Sequence, residues 1–183
     1  MATTVTDTIR TRPNTLFGLD GSQYQGNMDF ASLKNDGVKF AIFRTYGSTH
    51  TGTGDTMFEK NIGLAKAQGI PCGSYFYCTP TNPYSYNDVK AQADLFINKL
   101  KSGFGSYYGD LIPMIDVEDN KANTPVGQST LDISVDDLLR WCNDYRNYFE
   151  DKTGVQLGIY TNYYFVGEQR NNFNEGKLHK ETL

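Results

Sequence analysis

The stretch "LIPMIDVEDN" at residues 111–120 sets three acids, Asp116, Glu118 and Asp119, within four positions directly after an apolar run. Such a run reads as a strand, and strand side chains alternate faces with period two. Asp116 and Glu118 therefore project from one face, about 6.6 Å apart along the strand, while Asp119 points elsewhere. Two carboxylates that close disfavour double ionisation, which raises the pKa of one of them. One acid held protonated beside one held ionised is what glycoside hydrolysis uses: the first protonates the leaving oxygen, the second stabilises or attacks the oxocarbenium centre. Two other readings stand beside it, a strand ending in a solvated acidic turn and a carboxylate pair holding a divalent cation. A place at the end of a buried parallel strand favours a functional role.

Other strand ends carry similar material. In "GLDGSQYQG" (18–26), Asp20 closes a short apolar run and is followed within six residues by a hydroxyl, two amides, a tyrosine and two glycines. A capped turn is the plain alternative there. Arg44 with Tyr46, Tyr75 with Tyr77, and Tyr160 with Asn162 complete the set. Aromatic residues make up 14% of the chain, an excess that tyrosines at strand ends, able to stack on sugar rings, would account for. The constellation is that of an acidic, aromatic-lined cleft suited to a neutral polysaccharide backbone.

The elements that must position these residues alternate. "TLFGLD" is a first strand, and "MDFASLKNDG" has helical spacing closed by Gly37. "VKFAIFRTYG" is a second strand, and 56–69 a helix with Phe58, Ile62 and Ala65 on one face and a glycine stop. "IPCGSYFYC" is a third strand, before a helix whose face is Val89, Ala93, Phe96, Ile97 and Leu100. "LIPMIDVED" is the fourth strand. After a loop of turn formers, Ser134 with Asp137 resembles a capping box and opens a helix along Val135, Leu138, Leu139, Cys142, Tyr145 and Phe149. "VQLGIYTNYYF" is the fifth strand. Strands separated by helices imply parallel pairing with right-handed crossovers, hence an α/β fold, either an open doubly wound sheet or a barrel. Both place chemistry at the C-terminal ends of the strands.

Composition narrows the partners. The net charge of −4 and the lack of a basic cluster interleaved with aromatics argue against a nucleic-acid surface. No run approaches the roughly 18 apolar residues of a membrane span, so no membrane insertion is expected, and the N-terminal segment lacks the apolar middle of a signal peptide. Cys72 and Cys78 lie roughly 20 Å apart on one strand, beyond the ~7 Å limit for a disulfide, and all three cysteines read as reduced core residues. Two histidines, His50 and His179, without paired spacing argue against a metal site. Trp141 reads as packing, and "GTGD" (52–55) as a flexible turn.

In these motifs the chain resembles the glycoside hydrolase family 25 muramidases, the lysozyme type common among phage endolysins and bacterial autolysins. The matches are "GLDGSQYQGNMDF", "VKFAIFRTYG", "IPCGSYFYC", "MIDVEDN" and "GIYTNYYF", in the family's order over about residues 16–165. The resemblance implies a modified (β/α) TIM-like barrel that cleaves the β-1,4 bond from N-acetylmuramic acid to N-acetylglucosamine in bacterial peptidoglycan, without a cofactor. Carried over by position, Glu118 is the general acid, with Asp20 and Asp116 as flanking carboxylates. Arg44, Tyr75, Tyr77, Tyr160 and Asn162 line the cleft as substrate-binding residues.

The resemblance also carries departures. Phe76 stands where the family's third strand often has a polar residue. The Trp-containing closing strands and a further aspartate, usual after the fifth strand, are missing, so with five βα units the barrel reads as incomplete. Residues 1–15 then form a flexible leader and residues 16–183 a C-terminally truncated catalytic domain, with weak activity and a second chain or missing segment as possible completion. Without a signal peptide, the enzyme would reach the wall by holin-type release, lysis or virion delivery. Other readings are a catalytically weak or inactive wall-binding or virion module on the same fold, a chitinase-like hydrolase, and an open-sheet nucleotide or flavin protein. The chitinase-like reading lacks the longer acidic repeat, and the nucleotide or flavin reading would set Asp20 where a phosphate sits.

Overall fold

The computed structural model describes residues 14–48, 50, 52–118 and 133–161. Strands and helices alternate along them: β1 (Gly18–Gly21), α1 (Phe30–Asn35), β2 (Phe40–Arg44), α2 (Phe58–Ala67), β3 (Cys72–Tyr77), α3 (Tyr86–Phe104), β4 (Met114–Asp116), α4 (Val135–Thr153) and β5 (Gly158–Tyr160). The leader proposed for residues 1–15 falls almost wholly outside the described residues, as do Asp119 and Asn162.

Local chemistry sets the helix ends. Asp29 accepts hydrogen bonds from the backbone N–H groups of Ala31 and Ser32 at the start of α1. Ser134 caps α4: its hydroxyl accepts from the Asp137 N–H at 3.1 Å and donates to the Asp137 carboxylate at 2.9 Å, a side-chain bond in place of the backbone one of a full capping box. Gly154 ends α4 with φ of 70°, the left-handed region that glycine enters without steric cost.

The five strands are all parallel and lie in the order β1-β2-β3-β4-β5. A doubly wound sheet reverses its strand order at a switch point, and this one does not. Crossovers of one hand then lay the helices on one face, leaving the other to curve inward as in a barrel. Among the described residues the sheet is thus a five-stranded section of a modified TIM-like barrel.

Register divides the residues between the faces. Ala41, Phe43, Cys72, Ser74, Phe76, Ile115 and Val117 alternate onto the helix side and are buried there. They meet Phe96 and Leu100 of α3 and Trp141, Tyr145 and Phe149 of α4 in one aromatic-rich core. Phe76 lies at its centre, with ring centroids 5.5 Å from Phe96 and 6.3 Å from Tyr145. The substitution of an apolar ring at position 76 therefore removes nothing from the cleft, because alternation points residue 76 away from it. Trp141 is fully buried, stacks at 5.0 Å on Tyr145 and donates its indole N–H to Asp88. The three cysteines are free and buried.

Candidate active site

The inner face carries a stepped array fixed by register. Asp20 pairs with Ile42; Arg44 pairs with Tyr75, which pairs with Met114; Tyr77 pairs with Asp116, which pairs with Tyr160. Glu118 follows Asp116 by two residues on the same face, with buried Val117 between them pointing into the core. At the C-terminal end of the sheet Asp20, Ile42, Tyr75, Met114, Asp116, Glu118 and Tyr160 line a cavity of about 300 Å³. Carboxylates from β1 and from the end of β4 thus share one space, walled by two tyrosines and two aliphatic side chains.

Asp116 is 6% exposed, and among the described residues its Oδ1 has no hydrogen-bond partner. Burial first, then the negative charges of Glu118 and Asp20, push its carboxyl from an ordinary 3.8 up to about 7. A buried oxygen without a donor is costly as an anion, and a proton relieves that cost. Burial, and after it the Asp20 carboxylate, push the Tyr75 phenol up to about 12, so it stays a donor at neutral pH. The Tyr160 phenol is raised as well, by burial and then by Glu118, Asp116 and Asp20. At neutral pH the cavity offers a protonated or half-protonated carboxyl, neighbouring carboxylates and two phenol donors, a set able to protonate a leaving oxygen and stabilise a developing cation.

Of the sequence-predicted site residues, Asp20, Tyr75, Asp116, Glu118 and Tyr160 come together in this cavity. Tyr77 occupies the same face, in register with Asp116, but is not among the residues that line it. Arg44 lines a neighbouring polar cavity of about 400 Å³ with Gln23, Tyr24, His50 and Asp55. There its Nη2 lies 3.1 Å from Asp55 Oδ2, and its guanidinium sits 4.8 Å from the Tyr24 ring centroid. Among the described residues, no three His, Cys, Asp or Glu side chains converge as a metal site would require.

Asp55 is the residue that sequence reasoning passed over, since "GTGD" reads as a loop. It is 2% exposed and accepts hydrogen bonds from Arg44, from the Gln23 backbone N–H at 2.8 Å and from the Met57 N–H at 3.0 Å. A single buried acid at a strand-to-helix connection was the available signal; its partner 32 residues earlier was not visible. His50 is also more than a loop residue. Its Nε2 donates to the Tyr77 carbonyl at 2.6 Å and its Nδ1 lies 3.2 Å from Thr79 Oγ1, with the ring 4.7 Å from Phe76. The carbonyl accepts only, so Nε2 carries the proton and Nδ1 accepts from the threonine.

Comparison with known proteins agrees with this architecture. A family model described as glycosyl hydrolases family 25 matches residues 19–181. Lysozyme M1 of Streptomyces globisporus is 28% identical over 145 residues, covering 79% of this chain and 45% of its own length. The N,O-diacetylmuramidase of Arthroderma benhamiae is 28% identical over 155 residues, covering 84% and 60%. Among solved structures, the Clostridium perfringens spore cortex lytic enzyme SleM superposes with a TM-score of 0.75 at 32% identity, over 89% of this chain and 49% of that one. The chain thus spans about half the length of the relatives it matches. With the match running through β1 to β5 and beyond, the chain belongs to glycosyl hydrolases family 25.

Proposed function

We propose that the chain hydrolyses peptidoglycan at the β-1,4 bond between N-acetylmuramic acid and N-acetylglucosamine, with Glu118 as general acid and Asp116 and Asp20 assisting. The observation that carries this reading is the convergence of three carboxyl groups from two strand ends in one tyrosine-walled cavity, in a family 25 chain. The names of its relatives, a lysozyme and an N,O-diacetylmuramidase, fit the same substrate class.

In this reading the Asp116–Glu118 pair enters the reaction with one proton. A proton held between coupled carboxylates belongs to the pair: it passes from Asp116 to Glu118, which leaves Asp116 ionised, and Glu118 then delivers it to the glycosidic oxygen and regains a proton from the attacking water. Asp20, on the β1 side of the cavity, then stabilises positive charge at the anomeric carbon or orients the substrate's acetamido group. Tyr75 and Tyr160 donate to substrate oxygens and stack on the rings; Arg44 and Tyr77 contribute to binding from the margins, and Asn162 joins the substrate-binding residues by the family resemblance alone.

Glu118→Gln keeps the shape and removes the transferable proton. Release of reducing ends from purified peptidoglycan should fall by about 100-fold or more in this variant, the lower range for loss of a general acid. A rate within twofold of the parent would overturn the assignment. Cell-wall binding by the parent with no release of reducing ends would instead favour a non-catalytic wall-binding role.

A further inference from the structure

The polar cavity beside the carboxylates has a wall that the proposed chemistry does not use. Tyr24 is 78% exposed, yet its backbone is firmly held. It sits in a one-turn 3₁₀ segment, Gln23–Gln25, closed by Ser22, whose N–H donates to Gln25 Oε1 at 2.8 Å and whose Oγ accepts from the Tyr24 N–H. The Gln23 N–H is bound to buried Asp55, and Gln23 Oε1 accepts from the Thr56 N–H at 3.2 Å. One face of the Tyr24 ring receives the Arg44 guanidinium, which Asp55 holds by its other side. The opposite face is open to solvent.

A large aromatic ring with a fixed backbone, a cation backing one face and water on the other loses little rotamer freedom when a flat apolar surface lands on it. A pyranose ring presents such a surface, and the hydroxyl and amide groups of the cavity, Ser48, Thr53 and Gln23, match its hydroxyls. The location fits a polymer. Arg44 is in register with Tyr75, and Gln23 follows Asp20 by three residues, so the two cavities adjoin along the strand ends. At about 4.8 Å between neighbouring strands, β2 lies about 10 Å from β4, about two sugar rings along a glycan strand.

We propose that Tyr24 forms a second carbohydrate subsite, stacking on a sugar about two or more rings from the bond under attack. Asp55 is its positioning residue, locking the Tyr24 turn and Arg44 into one wall. This rests on reading the carboxylate cavity as a glycan hydrolase site.

The test is equilibrium binding to the full chain carrying Glu118→Gln, which leaves the ligand uncut. The probes are a peptide-free disaccharide and a hexasaccharide of alternating N-acetylglucosamine and N-acetylmuramic acid. Tyr24→Ala should weaken the hexasaccharide about tenfold and the disaccharide less than twofold, and Tyr24→Phe should restore the hexasaccharide. Asp55→Asn should weaken the hexasaccharide at least threefold when Tyr24 is present and less than twofold further in the Tyr24→Ala background, a coupling that general loosening of the fold would not produce. Unchanged hexasaccharide affinity in Tyr24→Ala, with the parent binding, overturns the subsite and leaves the cleavage reading intact. A parent that binds neither fragment, with a wild-type chain that releases no reducing ends, overturns both.

Discussion

Two pressures act on Asp116 in the same direction: its place on the inner face buries it, and its neighbours are acids, so both favour the protonated form. With a folded-state pKa near 7 against an ordinary 3.8, the folded chain binds more protons than the unfolded chain between those values. The associated stability is fully present below about pH 4 and is lost as pH rises through 7. Asp116→Asn removes this dependence. Thermal or denaturant unfolding should find the variant more stable than the parent at pH 8, by at most about 4 kcal/mol, with the gap shrinking to less than half at pH 5. A gap that is equal at both pH values would mean that Asp116 titrates normally. Hydrolysis should respond as well: in the variant the alkaline limb of the pH–rate profile, set in the parent near 7, should move or vanish. The partnership of Asp116 with Glu118 was legible because strand alternation is a property of adjacent residues. The clamp of Asp55 on Gln23 and Arg44 was not, because no local pattern marks a contact 32 residues away.

At the scale of elements, the site depends on strands braced from behind. Along β3 and β4, inner-face Tyr75 and Asp116 are each followed by a residue buried in the core, Phe76 and Val117, so these cavity walls are only as fixed as that packing. Phe76 is the clearest case, lying between Tyr75 and Tyr77 and touching the rings of Tyr46, His50, Phe96 and Tyr145. Phe76→Ala should cost about 3–5 kcal/mol in a chemical denaturation experiment, the range for truncating a buried phenylalanine. A loss below about 1 kcal/mol would show that the helices do not brace β3 as described. Helix α2 and strand β3 were readable from the sequence, each within two residues of the expected bounds, because apolar spacing and glycine stops are local signals. β4 is shorter than its apolar run suggests: only Met114–Asp116 form the strand. Proline at 113 lacks an N–H to donate to the ladder, which explains the late start.

At the scale of the molecule, strand order was the part that local signals left open. Alternating strands and helices fit both an open sheet and a barrel, and only the pairing of β1 through β5 in sequence decides between them. That order gathers residues of all five strands around one cavity, so that acids from β1 and from the end of β4 share it. The central claim, that this cavity cuts the muramic-acid bond, is tested most directly by the identity of the new chain ends. Purified peptidoglycan digested with the full chain, reduced with borohydride and analysed by mass spectrometry should yield products ending in reduced N-acetylmuramic acid, absent when Glu118→Gln replaces the parent. Products ending in reduced N-acetylglucosamine, or no new ends at all, would contradict the account.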